Sequence, residues 1–254
     1  LTDHARQGLM VLDDYRHIAL VEAPSTNTEC FNLARQGDPG RVWVTAQEQT
    51  SGRGRRGRAW TSEPGNLYAS LLLINPAPAD AMASLPLAVA VAVQRAISAV
   101  LPPGSSPAKI KWPNDILINR QKVCGILIEG ERIAERHAIV IGCGINVVHA
   151  PEHGLYPVTS LRDHGSTVFA DQLFPHLFKE TADVLAIWDQ GRGLSRIIEM
   201  WTASAGGIGE KITVNLPRQS ISGHFRGIDD NGHLILDTGL GQTQLIAAGD
   251  VFFG

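Results

Sequence analysis

Between residues 49 and 60 the chain reads QTSGRGRRGRAW, with four arginines and three glycines packed into the seven positions from Gly52 to Arg58. Glycines at 52, 54 and 57 let backbone N–H groups come close to a ligand and form an anion-binding nest. Arg53, Arg55, Arg56 and Arg58 add planar guanidinium forks that grip phosphate in a bidentate way. Trp60 offers a flat aromatic face suited to a nucleobase. A second cluster is Lys111-Trp112-Pro113-Asn114-Asp115, a turn bracketed by opposite charges. Lys111 is fit for phosphate, and Asp115 for a metal ion or an ammonium group. Lys122 follows in QKVCGILIE, where an apolar strand would partly bury its ammonium, and Gly142 to Asn146 (GCGIN) ends another apolar run. Taken singly, each of these has a plain structural alternative: a solvated Arg/Gly linker, a snorkelling surface lysine, a tight turn with packing glycines. So many like charges in one loop also predict mobility without a ligand and order with one.

The literal G-x-G-x-x-G at positions 52, 54 and 57 is not read as a dinucleotide fingerprint. That motif opens a helix and needs an acidic residue closing the next strand. Here WTSEPGN is turn material leading into a strand, and Asp80 lies in a Pro/Ala-rich turn. Lys and Arg total 22 against 25 Asp and Glu, a formal net charge of −3. A general nucleic-acid binder carries a basic surplus, so the arginine cluster is a local feature.

The elements that must position these residues follow from periodicity. Strands are expected at 17–23, 41–47, 67–74, within 110–118, at 123–129 and at 138–147. Ser25 and Thr26 stand where helix N-caps stand, ahead of NTECFNLARQ. Helices are expected at 82–101, 167–188 and around 195–204. From Lys211 onward, short strands separated by turn signals at 215–217, 230–232 and 239–241 indicate a small β barrel of about five strands. The expected architecture is α+β: a large domain over 1–205, a mixed sheet with packed helices, followed by a small β domain over 206–254. With 254 residues and 44% hydrophobic content there is ample material for a core. Cys30, Cys124 and Cys143 are widely spaced, lack a CxxC pair, and read as small buried hydrophobes in a reducing compartment. The run 85–93 is too short to span a bilayer and residues 1–8 lack a signal-peptide core, so a cytoplasmic protein with no membrane partner is expected.

Six segments together resemble the biotin protein ligases: PSTN at 24–27, QTSGRGRRGRAW at 49–60, PGNLY at 64–68, KWPND at 111–115, KVCGILIE at 122–129 and GCGINV at 142–147. They stand in the family's order over about 25–150, and RGID at 226–229 fits its SH3-like C-terminal domain. The resemblance implies a class II synthetase-like catalytic fold and a two-step reaction. Biotin is activated by ATP to biotinyl-5′-AMP, then passed to a lysine of the biotin carboxyl carrier domain of a carboxylase. Ser25, Thr26, Asn27 and Gln49 are implied as the biotin-binding group, the hydroxyls and amides meeting the ureido ring. Gly52, Arg53, Gly54 and Arg55 are implied on the biotin and adenylate loop. Arg58, Trp60, Asn66, Lys111 and Asn146 are implied for ATP, with Trp60 stacking on adenine while Asn66 and Asn146 read its polar edge. Lys122, implied in biotin binding where it meets the carboxylate and the α-phosphate, is implied as catalytic with Arg55 and Asp115, and Asp115 also to hold Mg²⁺ or orient the incoming lysine. About 16 residues precede the first strand, few for a DNA-binding unit, so the ligase-only type is expected, with no repressor role and no nucleic-acid partner, as a monomer or homodimer. A nucleic-acid module or a lipoate ligase of related fold are the rival readings; the latter leaves QTSGRGRRGRAW without a purpose.

Overall fold

The computed structural model describes residues 14–151, 157–239 and 241–253. The reading made on residues 1–8 and the last residue, Gly254, lie outside the described residues. The larger sheet is built from β1 (Arg16–Ala23), β2 (Val42–Gln49), β3 (Leu67–Ile74), β4 (Lys109–Lys111), β5 (Asp115–Ile118), β6 (Gln121–Ile133) and β7 (Arg136–Ile145). Its strand order is β1-β2-β3-β7-β6-β5-β4. Only β1 and β2 run parallel, because helix α1 (Thr26–Arg35) crosses between them; the other pairs are antiparallel. A parallel pair needs such a crossover, whereas hairpins suffice for the rest.

Side-chain alternation splits the sheet's two faces. Val42, Val44, Leu72, Ala138 and Val140 pack with Cys30, Phe31 and Ala34 of α1. Trp43, Leu71 and Ile141, one position along, face the other way. There they meet α2 (Leu85–Ser98), α3 (Ala170–Trp188) and α4 (Leu194–Ser204). The Val/Ala surface of α2 lets α3 approach closely. Among the described residues Ala81–Ser98 alone is long and apolar enough to cross a membrane, and its burial in this core accounts for that composition. The expected helix at 82–101 is shorter as an α-helix, being entered through a 3₁₀ turn at Ala81–Ser84 and ended at Ser98.

The C-terminal five-stranded antiparallel sheet contains β8 (Lys211–Asn215), β9 (Ser220–Ile228), β10 (Leu234–Gly239), β11 (Gln242–Ile246) and β12 (Asp250–Phe253), in the order β11-β10-β9-β8-β12. Its inward residues, Ile212, Val214, Phe225, Leu234, Leu236 and Val251, continue the main core. The RGIDDNGH turn is wound on Asp229, whose carboxylate accepts from the N–H groups of Asn231 and His233. Gly232 then takes a φ of 80°, and its carbonyl accepts the Trp112 indole N–H at 3.1 Å. The C-terminal sheet is thereby docked on the turn that carries Lys111 and Asp115.

Candidate active site

A cavity of about 330 Å³ opens on the α1 face of the large sheet, between the first turn of α1, the end of β2, the β4–β5 turn and β12. Its floor is glycine. Gly125 of β6 and Gly144 of β7 are directly paired, and Gly142 lies two residues along. With no side chains there, the backbone itself becomes a flat surface against which a ring can lie. The Trp60 indole does so: a Cβ on Gly144 would sit 2.5 Å from its Nε1, and one on Gly125 2.7 Å from its Cζ3. Lys122 Nζ lies 5.7 Å from the Trp60 ring centroid.

One wall is polar and neutral. Ser25 occupies the N-cap of α1 with extended backbone, yet its hydroxyl makes no capping bond and lines the cavity. Gln49 Oε1 accepts from Thr26 N at 2.9 Å and from Thr26 Oγ1 at 3.1 Å, while Gln49 Nε2 donates to Ser62 Oγ at 2.8 Å. Ser70 Oγ, fully buried, stands 2.7 Å from Thr26 Oγ1 and 2.6 Å from Asn27 Oδ1. Asn27 Nδ2 donates to Glu129 Oε2 at 2.7 Å. The result is a connected set of hydroxyls and carboxamides whose orientations are fixed by one another.

The opposite wall is cationic. Lys111 and Asp115 pair across the β4–β5 turn. Burial pulls the Lys111 ammonium below the ordinary lysine value; Asp115 and Asp250 oppose that pull, while Lys122 and Arg55 add to it. Lys122 is fixed at the start of β6 by backbone bonds to Pro157 and Thr159, and its Nζ is 2.7 Å from Asp115 Oδ1. Arg55 and Arg58 reach in from the loop, which closes on itself through the Arg53–Ala59 bridge and a Gly54 N–H to Arg58 carbonyl bond of 2.7 Å.

The structure thus brings Ser25, Thr26, Asn27, Gln49, Arg53, Gly54, Arg55, Arg58, Trp60, Lys111, Asp115, Lys122 and Asn146 to one cavity. Two expected residues stand outside it. Asn66 accepts the N–H groups of Val147, Val148 and His149 at 2.8, 3.0 and 3.1 Å and donates to the His149 carbonyl at 2.9 Å. Its Oδ1 shapes the turn after β7, while Nδ2 makes one bond there. Gly52 lets the loop return: a Cβ there would fall 2.5 Å from the Trp60 carbonyl oxygen. Asn146 remains at the cavity while donating from Nδ2 to the Thr159 carbonyl at 3.0 Å. Trp60 lies on the glycine floor of the cavity. The loop's arginines have counter-ions: Arg53 meets Glu129 at 3.4 Å, and Arg55, Arg56 and Arg58 converge on Asp250 at 4.0, 2.6 and 3.3 Å.

Sequence reasoning missed Ser70, Glu129 and Asp250, single residues of β3, β6 and β12 to which no motif gave a role. A polar residue in the otherwise apolar LYASLLLI was the one signal to be had for Ser70. The three cysteines are buried, as expected; desolvation raises all three thiols, Cys143 to about 12, so none is a reactive group. No group of three His, Cys, Asp or Glu side chains suited to a metal occurs among the described residues. A magnesium ion carried on a nucleotide is bound largely by phosphate oxygens and water with one or two carboxylates, and Asp115 and Asp250 line the cavity.

Residues 21–146 match the biotin/lipoate A/B protein ligase family, and 207–254 match the biotin protein ligase C-terminal domain. A biotin–[acetyl-CoA-carboxylase] ligase of Paracoccus denitrificans is 37% identical over 246 residues, covering 92% of this chain and 99% of that protein. The bifunctional ligase/repressor BirA of Bacillus subtilis is 33% identical over 237 residues, covering 88% of this chain and 70% of its own length. A biotin protein ligase of Aquifex aeolicus, solved in complex with biotin and ATP, shares the fold with a TM-score of 0.82 at 24% identity, over 94% of this chain and 99% of that one.

Proposed function

The chain belongs to the biotin protein ligase family, and we propose that it activates biotin with ATP and transfers it to a lysine of a biotin carboxyl carrier domain. In the first step a biotin carboxylate oxygen attacks the α-phosphate of ATP, and pyrophosphate leaves with the electron pair of the broken P–O bond. In the second, the carrier lysine amine attacks the acyl carbon of biotinyl-5′-AMP, forming an amide and releasing AMP. The observation that carries this reading is a single cavity with a neutral hydrogen-bonding wall on one side and a cationic wall on the other. Such a cavity suits a neutral ureido ring joined to an adenylate.

Ser25, Thr26, Asn27 and Gln49 form the neutral wall, where the ureido carbonyl and N–H groups find donors and acceptors. Arg53, Gly54 and Arg55 close over the acyl-phosphate region, with Gly52 permitting the loop's return. Arg58 and Lys111 offset triphosphate charge. Lys122 stabilises the charge developing between carboxylate and α-phosphate, the type of preorganised electrostatics that displacement at phosphorus needs. To do so its ammonium must leave Asp115. That carboxylate is then available to Mg²⁺ on the nucleotide or to the incoming carrier lysine. Water is kept from the mixed anhydride by the loop and Trp60. We divide the chain into a catalytic domain over 1–205 and a C-terminal domain over 206–254, the latter reaching the site through β12.

DNA repression is not part of the proposal: the net charge is −3, and three of the loop's arginines already meet Asp250. The test is exchange of labelled pyrophosphate into ATP. Exchange that requires biotin is expected; exchange driven by lipoate and not by biotin would overturn the assignment.

A further inference from the structure

Asp250 is the first residue of β12, in the C-terminal sheet, and its side chain is only 13% exposed. Three guanidiniums from the arginine loop, nearly two hundred positions earlier, converge on its single carboxylate. They are not equivalent. Arg55 and Arg58 line the cavity, whereas Arg56 does not. Arg56 makes the shortest contact of the three, Nη1 to Oδ2 at 2.6 Å, while Arg58 stands at 3.3 Å and Arg55 at 4.0 Å. Arg56 also has a φ of 59° and ψ of 31°, a left-handed conformation that a side-chain-bearing residue adopts at a cost. Turning its backbone this way sends the Arg56 side chain towards the C-terminal sheet, while its neighbours address the cavity.

The placement of Asp250 is itself constrained. At Gly249 a Cβ would fall 2.7 Å from Val214 Cγ1, so glycine lets β12 enter close against β8. Alternation along β12 then points Val251 into the core and puts Asp250 and Phe252 on the opposite side, where Lys111 Nζ lies 5.7 Å from the Phe252 ring. The three arginines and Asp250 together carry a net charge of +2. Asp250 therefore offsets part of the loop's self-repulsion without cancelling its attraction for a polyanion.

We propose that Asp250 and Arg56 form a positioning pair, by which the C-terminal sheet holds the arginine loop over the cavity before any ligand arrives. Arg56 is the tether; Arg55 and Arg58 are the groups it presents. Holding the loop in place in advance lowers the ordering cost of binding. The pair's contribution to biotin capture rests on the function proposed above; the tether itself does not.

Limited trypsin digestion of the ligand-free, 254-residue chain reads the tether directly, since the loop arginines are its cleavage sites. Asp250→Asn keeps the shape and every cleavage site but removes the charge. It is expected to speed cleavage within 53–58 about fivefold, equivalent to ~1 kcal/mol of loop opening. Asp250→Glu should stay near the wild-type rate, and Arg56→Gln should match Asp250→Asn at the remaining sites. Circular dichroism and melting temperature separate loop release from global unfolding. Arg56→Gln, whose altered side chain is 46% exposed, supplies the answer should Asp250→Asn fail to fold. In steady-state kinetics Asp250→Asn should raise the KM for biotin about fivefold while kcat changes less, with Asp250→Glu restoring it. Unchanged cleavage rates in Asp250→Asn and Arg56→Gln would overturn the proposal. So would a biotin KM that stays constant while the KM for ATP alone moves, because that assigns Asp250 to the nucleotide. A wild-type chain with no biotin-dependent exchange would sink the functional reading and leave the digestion result standing.

Discussion

Gly142→Ala is the substitution whose cost the structure specifies most closely. A Cβ built at Gly142 falls 2.2 Å from Asn27 Oδ1, 2.9 Å from its Cγ and 3.0 Å from its Nδ2. Asn27 is only 4% exposed and is held at both ends, its Oδ1 against Ser70 Oγ at 2.6 Å and its Nδ2 on Glu129 Oε2 at 2.7 Å. The carboxamide must move by about 1 Å to reach ordinary van der Waals separation. It cannot do so and keep both bonds. Losing one neutral hydrogen bond and one to a charged group costs ~2–4 kcal/mol, and overpacking a well-filled site has a similar scale. We expect Gly142→Ala to lose ~2–4 kcal/mol in urea unfolding, to lower Tm, and to raise the biotin KM at least tenfold through displacement of Thr26 and Asn27. The double mutant Asn27→Gly/Gly142→Ala removes the obstructing carboxamide. Its stability loss should therefore fall short of the two single losses added together by at least ~1 kcal/mol. A Gly142→Ala protein with wild-type Tm and biotin KM, or a strictly additive cycle, would refute the reasoning.

Other consequences are as direct. Lys122→Ala should lower adenylate formation by about 10²–10³-fold, the scale for loss of one preorganised charge, with circular dichroism unchanged; near-normal biotin-dependent turnover would show that another group carries the chemistry. Because burial holds the Lys111 ammonium below the usual lysine value, its phosphate-binding charge is lost on the alkaline side earlier than for an exposed lysine. The KM for ATP should climb as pH rises through that lowered pKa, and Lys111→Arg should remove this limb; a profile unaffected by Lys111→Arg would contradict the assignment. In stability the sign is opposite, since the buried charged form is the penalised one: the cost of Lys111 is present at neutral pH and is relieved as it deprotonates. Biotin should further protect the loop at 50–60 from trypsin beyond the protection Asp250 gives, and equal cleavage with and without biotin would argue that the loop makes no contact with it.

Where side chains alternate or glycines punctuate, the fold was legible. LYASLLLI announced a buried strand and the small residues of 82–101 a helix packed on the sheet, and both lie in the core. The five C-terminal strands followed from their turn residues, Asp230 and Gly232 among them. The α3 helix starts at Ala170, three residues later than expected, since Gln172 closes back on the Phe169 N–H. The site's cationic half was visible because arginine clustered with glycine is conspicuous in sequence. Its neutral half was visible only through resemblance, since Ser25 and Gln49 are unremarkable singly. Ser70, Glu129 and Asp250 were not visible at all. Each acts on residues more than forty positions distant, and only the packing of α1 on the sheet and the docking of β12 make them neighbours. Asn66 shows the converse. Its type suits a base edge, and only the structure shows that its Oδ1 also serves the three backbone N–H groups after β7.

The claim that one cavity joins biotin to an adenylate is tested most directly by what the protein retains after turnover. The purified chain is incubated with biotin, ATP and Mg²⁺, desalted rapidly, and examined by native mass spectrometry. The account predicts retained biotinyl-5′-AMP, discharged when a biotin carboxyl carrier domain is added and recovered as a biotinyl group on that domain's lysine. Retention of biotin and intact ATP as separate ligands, with no adenylate formed, would contradict it.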